Sequence, residues 1–520
     1  MSENTGLFIL KELIKPEKEF ETHISHVLIK GNDVYKLKKS VDFGFLNFKL
    51  AKDRKRFCIL EKELNERFAD NVYENTLKIV RKGNNFDLVP VTSTLTAIDY
   101  VVKMKRIPDE NFLKSRIEKG LISEYKAKDT GRQIAKLFKA IETPKESAEE
   151  HNGLDIIRFN CEENFEQTLK YVDNLIDSEK YEYIQNATLT FIDTYEEIIR
   201  KRVDEGFVKD GHGDLRLEHV FFDGNKVGLL DCIEFNRRLR FNDVVSDFVF
   251  LCMELDQEGL YSLSDAFLEG FLSIFDDEES AQLINFYKCY RAFVRLKVAC
   301  FMLDAKGEKW ENYSAKAKEV NRLLNLSFTY ALNMFNTNTL IFSGLMGTGK
   351  SKNAKAFCSE YPSSLFSTDY YRKITAGIDP EKKIYEDFGK GLYSEANTIN
   401  TYKYLGNLAK EKKNLGRMAV IDGSFSKKDF FDAFINHHNL HVININFTAS
   451  EQEILRRLGK RITGKTVSDG RPELYEKQKQ KAEKIPYHLQ IDTTDADIND
   501  NLNKIVKCVA EKNSKYSHET

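Results

Sequence analysis

In the first part of the chain, apolar and polar positions alternate. His23 to Val41 reads as a hairpin, two β-rich runs on either side of a Gly31-Asn32-Asp33 turn. The period then lengthens: Phe57, Glu61, Leu64 and Phe68 fall 4, 3 and 4 residues apart on one stripe, which predicts a helix over about Phe48 to Phe68. Further strands are expected within 76–104, at KIV, FDLVPVT and IDYVVKMK. From Glu110 to about Gly206 the spacing is helical, as in the run from Phe165 to Val203. A short hairpin, VFFDGNKVGLLD, follows on Asp223-Gly224-Asn225, and helices continue to about Asn336. Beyond Thr339 the order becomes strand, glycine loop, helix, strand, helix, strand, in TLIFSGL, RMAVIDGS and HVININF. That alternation predicts a parallel sheet flanked by helices. Two domains are therefore expected. The first, α+β, covers 1–336, with a small β-rich lobe at 1–105 and a helical lobe at 106–336; the second, α/β, covers 337–520.

Composition narrows the partners. Of 520 residues, 41% are hydrophobic and 31% charged, with only 8 prolines, so a folded chain without long disordered tracts is expected. Lys and Arg number 79 against 81 Asp and Glu, a balance that argues against a general nucleic-acid or membrane-surface binder and for small-molecule partners. The 8 cysteines are scattered and never form C-x-x-C, which points to neither a zinc knuckle nor a disulfide framework. The first residues lack the pattern of a signal peptide, and no run of apolar residues is long enough to span a bilayer. A reduced, cytoplasmic protein is expected.

The most specific signal is GLMGTGKS, Gly344 to Ser351, which fits G-x-x-x-x-G-K-[ST]. Gly344, Gly347, Thr348 and Gly349 belong to a loop whose backbone N–H groups turn around phosphates, and the following helix aims its positive end at them. Lys350 is expected to reach the β/γ-phosphates of ATP and Ser351 to hold Mg²⁺. An apolar strand, LIFS, precedes the loop and a helical stretch, KSKNAKAFCSE, follows it. Asp422 ends the apolar run MAVI, where a magnesium carboxylate sits in such folds. Asp369, in FSTDYYRK, follows a short strand-like run, with Arg372 one helical turn on. This arrangement resembles P-loop small-molecule kinases and zeta-toxin-like kinases. The resemblance implies Asp369 as acceptor of the substrate hydroxyl proton and Arg372 as a substrate-binding residue; a helix cap is the plainer use of Asp369. The basic run Arg456 to Arg471 suggests a lid, with Arg456, Arg457 and Arg461 as unranked candidates for phosphate contact.

A second constellation lies earlier. In HGDLRLEHV, Asp214 follows His212 by two residues, and Asp231 closes a hairpin seventeen residues later. One acid is suited to orient or deprotonate an acceptor hydroxyl and the other to hold metal on ATP phosphates. Upstream, the alternation of VYKLKK puts Val34, Lys36 and Lys38 on one strand face, where an inward lysine needs an anion. Lys36 is the first choice for the phosphates and Lys38 the second. Glu61, within an apolar stripe, is the natural lysine partner, with Glu63 the alternative.

Taken together, YKLKKSVDFGFLNF, RFCILEKELN, HGDLRLEHV, LLDCIEFN, GLMGTGKS, STDYYRK and GLYS resemble bacterial proteins that fuse an aminoglycoside-phosphotransferase-like kinase domain to a P-loop kinase domain. The resemblance covers nearly the whole chain. It implies a protein-kinase-like bilobal fold ahead of a P-loop NTPase sheet, two ATP sites and small hydroxyl compounds as acceptors. His219, a candidate for the metal position, departs from the pattern: an asparagine is usual there, and imidazole suits softer metals than Mg²⁺, so binding through water, contact with phosphate and simple packing are its open uses. Three readings follow. Both sites transfer phosphate; or the first senses nucleotide for the second; or the P-loop domain is a nucleic-acid or toxin-like kinase.

Overall fold

The computed structural model describes residues 5–44, 46–384, 386–436, 438–462 and 469–514. The chain divides into two compact units that interleave in sequence. Unit 1 comprises residues 1–160, 196–255 and 262–277; unit 2 comprises 161–195, 256–261 and 278–520.

Unit 1 opens with a six-stranded antiparallel sheet built from β1 (Lys18–Glu21), β2 (Ser25–Lys30), β3 (Asp33–Lys38), β4 (Tyr73–Lys82), β5 (Asn85–Pro90) and β6 (Ala97–Lys105). Their order is β1-β2-β3-β6-β4-β5. The hairpin at 23–41 forms as β2 and β3, pairing Ile29 with Val34. Both faces are covered, because residues of one strand point alternately to opposite sides. Val101 packs with Ile9 and Leu10 of the helix Thr5–Ile14. Its neighbour Val102 packs with Cys58 of the helix Ala51–Asn65. The period-3.6 stripe thus marks a helix three residues shorter at each end than expected. The helix Thr5–Ile14 and β1 were not anticipated; the sheet face that carries Leu37 needs that helix to shield it.

The remainder of unit 1 is mostly helical and carries two small strand pairs. β7 (Val208–Asp210) pairs with β10 (Phe241–Asp243), and β8 (Val220–Asp223) pairs with β9 (Lys226–Leu229) across the expected Gly224 turn.

Unit 2 contains a five-stranded parallel sheet of β11 (Asn338–Ser343), β12 (Ser364–Ser367), β13 (Ala419–Asp422), β14 (His441–Thr448) and β15 (Leu489–Asp492), in the order β12-β13-β11-β14-β15. Every strand of the pairing is parallel. β11 is buried at all six positions, as a central strand covered on both faces should be. The chain leaves β11 for one side of the sheet and later returns to its other side. Such a reversal opens a crevice at the C-terminal ends of β11 and β13, the usual ligand position in an open parallel sheet. The helices Ser178–Thr194, Glu278–Lys306 and Tyr313–Leu332 also belong to this unit.

A buried ionic cluster ties those helices to the sheet. Asp256 accepts from Arg417 Nη2 at 2.6 Å, Lys288 Nζ at 2.9 Å and the Tyr330 hydroxyl at 2.6 Å. All four side chains are buried. Burial alone would raise the Asp256 carboxyl, but Arg417 and Lys288 outweigh it and hold the group well below the usual carboxylate range. Arg417 stands just ahead of β13. No helix among the described residues is long and apolar enough to cross a membrane.

Candidate functional site

The glycine loop follows β11 as expected and leads into the helix Lys350–Glu360. Gly344 has φ 137, and a Cβ there would stand 2.3 Å from the Phe447 carbonyl oxygen, so only glycine lets the loop turn against β14. Gly347, Gly349, Lys350 and Ser351 line a cavity of about 500 Å³ at the C-terminal edge of the parallel sheet. The start of the helix places its positive end there. Lys350 Nζ donates to the Leu345 carbonyl at 3.0 Å, which folds the ammonium over the loop. Thr348 is buried and donates to the same carbonyl at 2.8 Å, so its side chain shapes the loop.

Asp422, the last residue of β13, lies beside Phe342 of β11 and Ser367 of β12 and lines the same cavity as Ser351. The two supply hard oxygen atoms, the donor type that suits Mg²⁺. Asp369 and Arg372 also line it, on the helix Thr368–Thr375. Ser367, not Asp369, holds the capping position of that helix. The Asp369 carboxylate is instead turned toward Arg372, with Oδ1 3.5 Å from Nη1.

The three arginines expected in a lid differ. Arg456 is exposed and grips Glu453 through two 2.5 Å bonds. Arg457 braces the loop from outside the cavity, donating to the Gly347 carbonyl at 3.2 Å, the Thr493 hydroxyl at 2.8 Å and the Thr493 carbonyl at 2.7 Å. The Arg461 side chain lies outside the described residues, as does the segment 463–468.

Sequence reasoning missed the framework of the other half of this cavity. Lys373 is fully buried, and its ammonium pairs with Asp469 at 3.1 Å. Asp469 also accepts from the Tyr393 hydroxyl at 2.5 Å and the Ile384 amide at 3.2 Å. This one carboxylate gathers three separate stretches around the cavity. A lone acid in the basic run Arg456–Arg471, and a lysine beside Arg372, were the available signals.

In unit 1 the second constellation also assembles. Lys36 Nζ lies 2.5 Å from Asp231 and 2.8 Å from Glu61, while Lys38 Nζ lies 2.6 Å from Glu61 and also contacts Glu234. Glu61 serves both lysines; Glu63 is exposed on its helix. Burial opposes the Lys36 ammonium, yet Asp231 and Glu61 outweigh it and put its pKa well above the usual lysine value. Burial raises Glu234, against the pull of Lys38. Lys38 is sealed between two carboxylates, whereas the partner of Lys36, Asp231, keeps 47% of its side chain exposed. Lys36 is therefore the lysine at the open side. Asp231 itself has φ 63, a costly left-handed conformation for a non-glycine residue. Its N–H donates to the Tyr73 hydroxyl at 3.2 Å, and the next amide donates to Asn65 at 3.0 Å.

His212 joins the two acidic segments. Its Nε2–H donates to the Leu230 carbonyl at 2.8 Å, and its Nδ1 accepts from the Asp214 N–H at 3.3 Å. Asp247, which the sequence did not single out, accepts from the His212 and Gly213 amides at 2.6 and 2.9 Å. A Cβ at Gly211 would fall 2.4 Å from that carboxylate, so any larger residue there would displace Asp247 from the amides it holds. His219 Nδ1 donates to the Asp214 carbonyl at 2.6 Å. The imidazole thus braces the loop and offers nitrogen rather than oxygen at its free edge, a poor match to Mg²⁺.

Burial holds His212 neutral, with its pKa down at about 3. A folded pKa below the unfolded value means that the unfolded chain takes up the proton first. Unit 1 should lose stability as pH falls from about 6.5 toward 3, by at most ~1.4 kcal/mol per pH unit from this group. Urea titrations of wild type and His212→Gln at pH 7 and pH 5 check it. Equal pH slopes in the two proteins would refute this role.

Residues 340–485 match the family model described as AAA domain. Uncharacterized proteins of Mycobacterium tuberculosis and Mycobacterium bovis are 28% identical over 408 residues, covering 78% of this chain and 78% of theirs. Among solved structures, the ADP-bound aminoglycoside phosphotransferase APH(2'')-Ib is similar over 61% of this chain and 94% of its own, at 16% identity and TM-score 0.34. A sugar kinase from Janibacter sp. HTCC2649 is similar over 33% of this chain and 94% of its own, at 15% identity and TM-score 0.28. A gluconokinase from Sinorhizobium meliloti 1021 covers 35% and 97%, at 13% identity and TM-score 0.27.

Proposed function

We propose that the chain is an ATP-dependent phosphotransferase whose C-terminal site passes phosphate to a hydroxyl group of a small molecule. The observation that carries this reading is a single cavity lined by the phosphate loop, by Asp422 and by the Asp369–Arg372 pair. Lys350 and the loop amides would bind the β/γ-phosphates, and Ser351 with Asp422 would hold Mg²⁺, which neutralises phosphate charge when bound. Asp369 stands where it can take the proton of an acceptor hydroxyl as that oxygen attacks.

We further read residues 1–336 as a kinase-like domain with a second ATP site, and 337–520 as the P-loop domain. In the first, Lys36, held by Glu61, would meet phosphate, Asp231 would hold metal, and Asp214 would orient an acceptor. The use of His219 on the Asp214 carbonyl favours a second possibility for this site, nucleotide binding without turnover.

Full-length wild type, Lys350→Ala and Asp214→Ala, each given ATP and a metabolite extract, test both readings by mass spectrometry of phosphorylated products. Two catalytic sites should lose separate products in the two variants. Products lost only with Lys350→Ala would leave the first site as a nucleotide sensor. Unchanged products in both variants would end the phosphotransferase reading.

A further inference from the structure

Resting on the phosphotransfer reading of the C-terminal cavity, we infer that its acceptor carries an oxyanion, a carboxylate or a phosphate, close to the hydroxyl that is phosphorylated, and that Arg372 binds it. Arg372 is only 7% exposed. Its guanidinium stacks on Tyr393, 4.8 Å from the ring centre, and its one side-chain hydrogen bond among the described residues is the 3.5 Å contact with Asp369. Nε is buried and has no partner. A guanidinium carries five N–H donors in a planar fork, and a desolvated one is costly unless acceptor oxygens meet it. Here the fork is left mostly unfilled at a cavity wall.

Of the other charges around this half of the cavity, Asp469 holds Lys373 and Tyr393, Glu395 pairs with Lys427, Asp387 pairs with Lys390, and Glu386 accepts from the Leu392 amide at 2.6 Å. Lys481 also lines the cavity, but it is exposed to solvent beside the Phe388 ring, whereas Arg372 is a buried cation. Arg372 therefore marks where an incoming negative charge is needed. The fork matches the paired oxygens of a carboxylate or phosphate. Its position next to Asp369 sets the spacing: one ligand must present a hydroxyl to the carboxylate and an oxyanion to the guanidinium a few ångströms away. A simple neutral polyol satisfies Asp369 and leaves Arg372 unmet. Tyr393, pinned by Asp469, is a positioning residue, since its ring fixes the plane in which the fork lies.

Matched probes test the inference on the full chain: glycerate against glycerol, erythronate against erythritol, and glycerol 3-phosphate for the phosphate case. Binding is read by isothermal titration in the presence of AMP-PNP and Mg²⁺, and turnover with ATP. At least one anionic probe should bind about tenfold or more tighter than its neutral counterpart, and Arg372→Gln should erase that margin. AMP-PNP affinity in Arg372→Gln should match wild type, which shows that the variant is folded. Preference for carboxylate or phosphate probes identifies which oxyanion the fork takes. Equal binding of charged and neutral probes, absence of binding by every anionic probe, or an unchanged margin in Arg372→Gln would overturn the inference. Nucleotide binding that survives Lys350→Ala undiminished would instead strike at the phosphotransfer reading beneath it.

Discussion

Replacing Asp369 by asparagine should slow phosphoryl transfer at the C-terminal site by about 10²–10⁴-fold, the usual contribution of a positioned general base. The amide has nearly the shape of the carboxylate, and the capping position of the helix Thr368–Thr375 is Ser367, so the helix start is left unchanged. What the variant loses is the proton acceptor. Nucleotide binding should survive, because Lys350, Ser351 and Asp422 are untouched. The measurement is single-turnover product formation beside AMP-PNP titration, both in the Asp214→Ala background so that the other site forms no product and its nucleotide binding is the same in the two proteins compared. A fall in kcat with nucleotide affinity held is the expected result. If the rate stayed within a few-fold of wild type, Asp369 would be a bystander and the acceptor would be sought elsewhere in the cavity.

The largest stability effect is expected at Arg417. Substitution by methionine keeps an unbranched apolar stem but removes a charge from a cluster in which Arg417, Lys288, Tyr330 and Asp256 are all buried. Asp256 would then hold its negative charge with one cation instead of two. Breaking a buried pair in this way typically costs about 3–5 kcal/mol, because the desolvated partner cannot recover its water. Equilibrium unfolding in urea, followed by a probe in unit 2, should show that loss. A change under about 1 kcal/mol would mean that Lys288 and Tyr330 alone satisfy Asp256.

Much of this architecture was readable from residues. The strand-loop-helix around GLMGTGKS forms with the helix starting at Lys350 itself, because the glycines, the apolar strand and the helix formers all act locally. Lys36 and Glu61 are legible because a charge on an inward, apolar face requires a partner, whereas Asp214 and Asp231 are legible from the His-Gly-Asp loop and the end of the hairpin that follows it. The sequence ranks Lys36 ahead of Lys38 but leaves both open, since alternation puts both on one face; the three-dimensional position of Asp231 separates them. Asp247 and Asp469 went unseen for a related reason. Each works by accepting backbone amides or a distant side chain, and nothing in its own neighbourhood of sequence announces those donors. Arg457 is one of three unranked candidates for phosphate contact because it stands in a basic run, and its bonds to Gly347 and Thr493 use it as a brace of the glycine loop in this structure. The helix Thr5–Ile14 was overlooked because its exposed Phe8 and buried Ile9 and Leu10 blur the amphipathic pattern.

The interleaving of the two units along the sequence sets the order in which a growing chain can mature. Tyr183 meets Phe328, and Phe191 stacks on Phe286, partners about a hundred or more positions downstream. All segments of unit 1 have been made once residue 277 has emerged, whereas the stretch 161–195 waits for ribosomes to finish what lies beyond. During that interval Tyr183 and Phe191 stand without these downstream partners, a transient sticky surface of the sort that chaperones cover, and contacts spanning such distances form slowly.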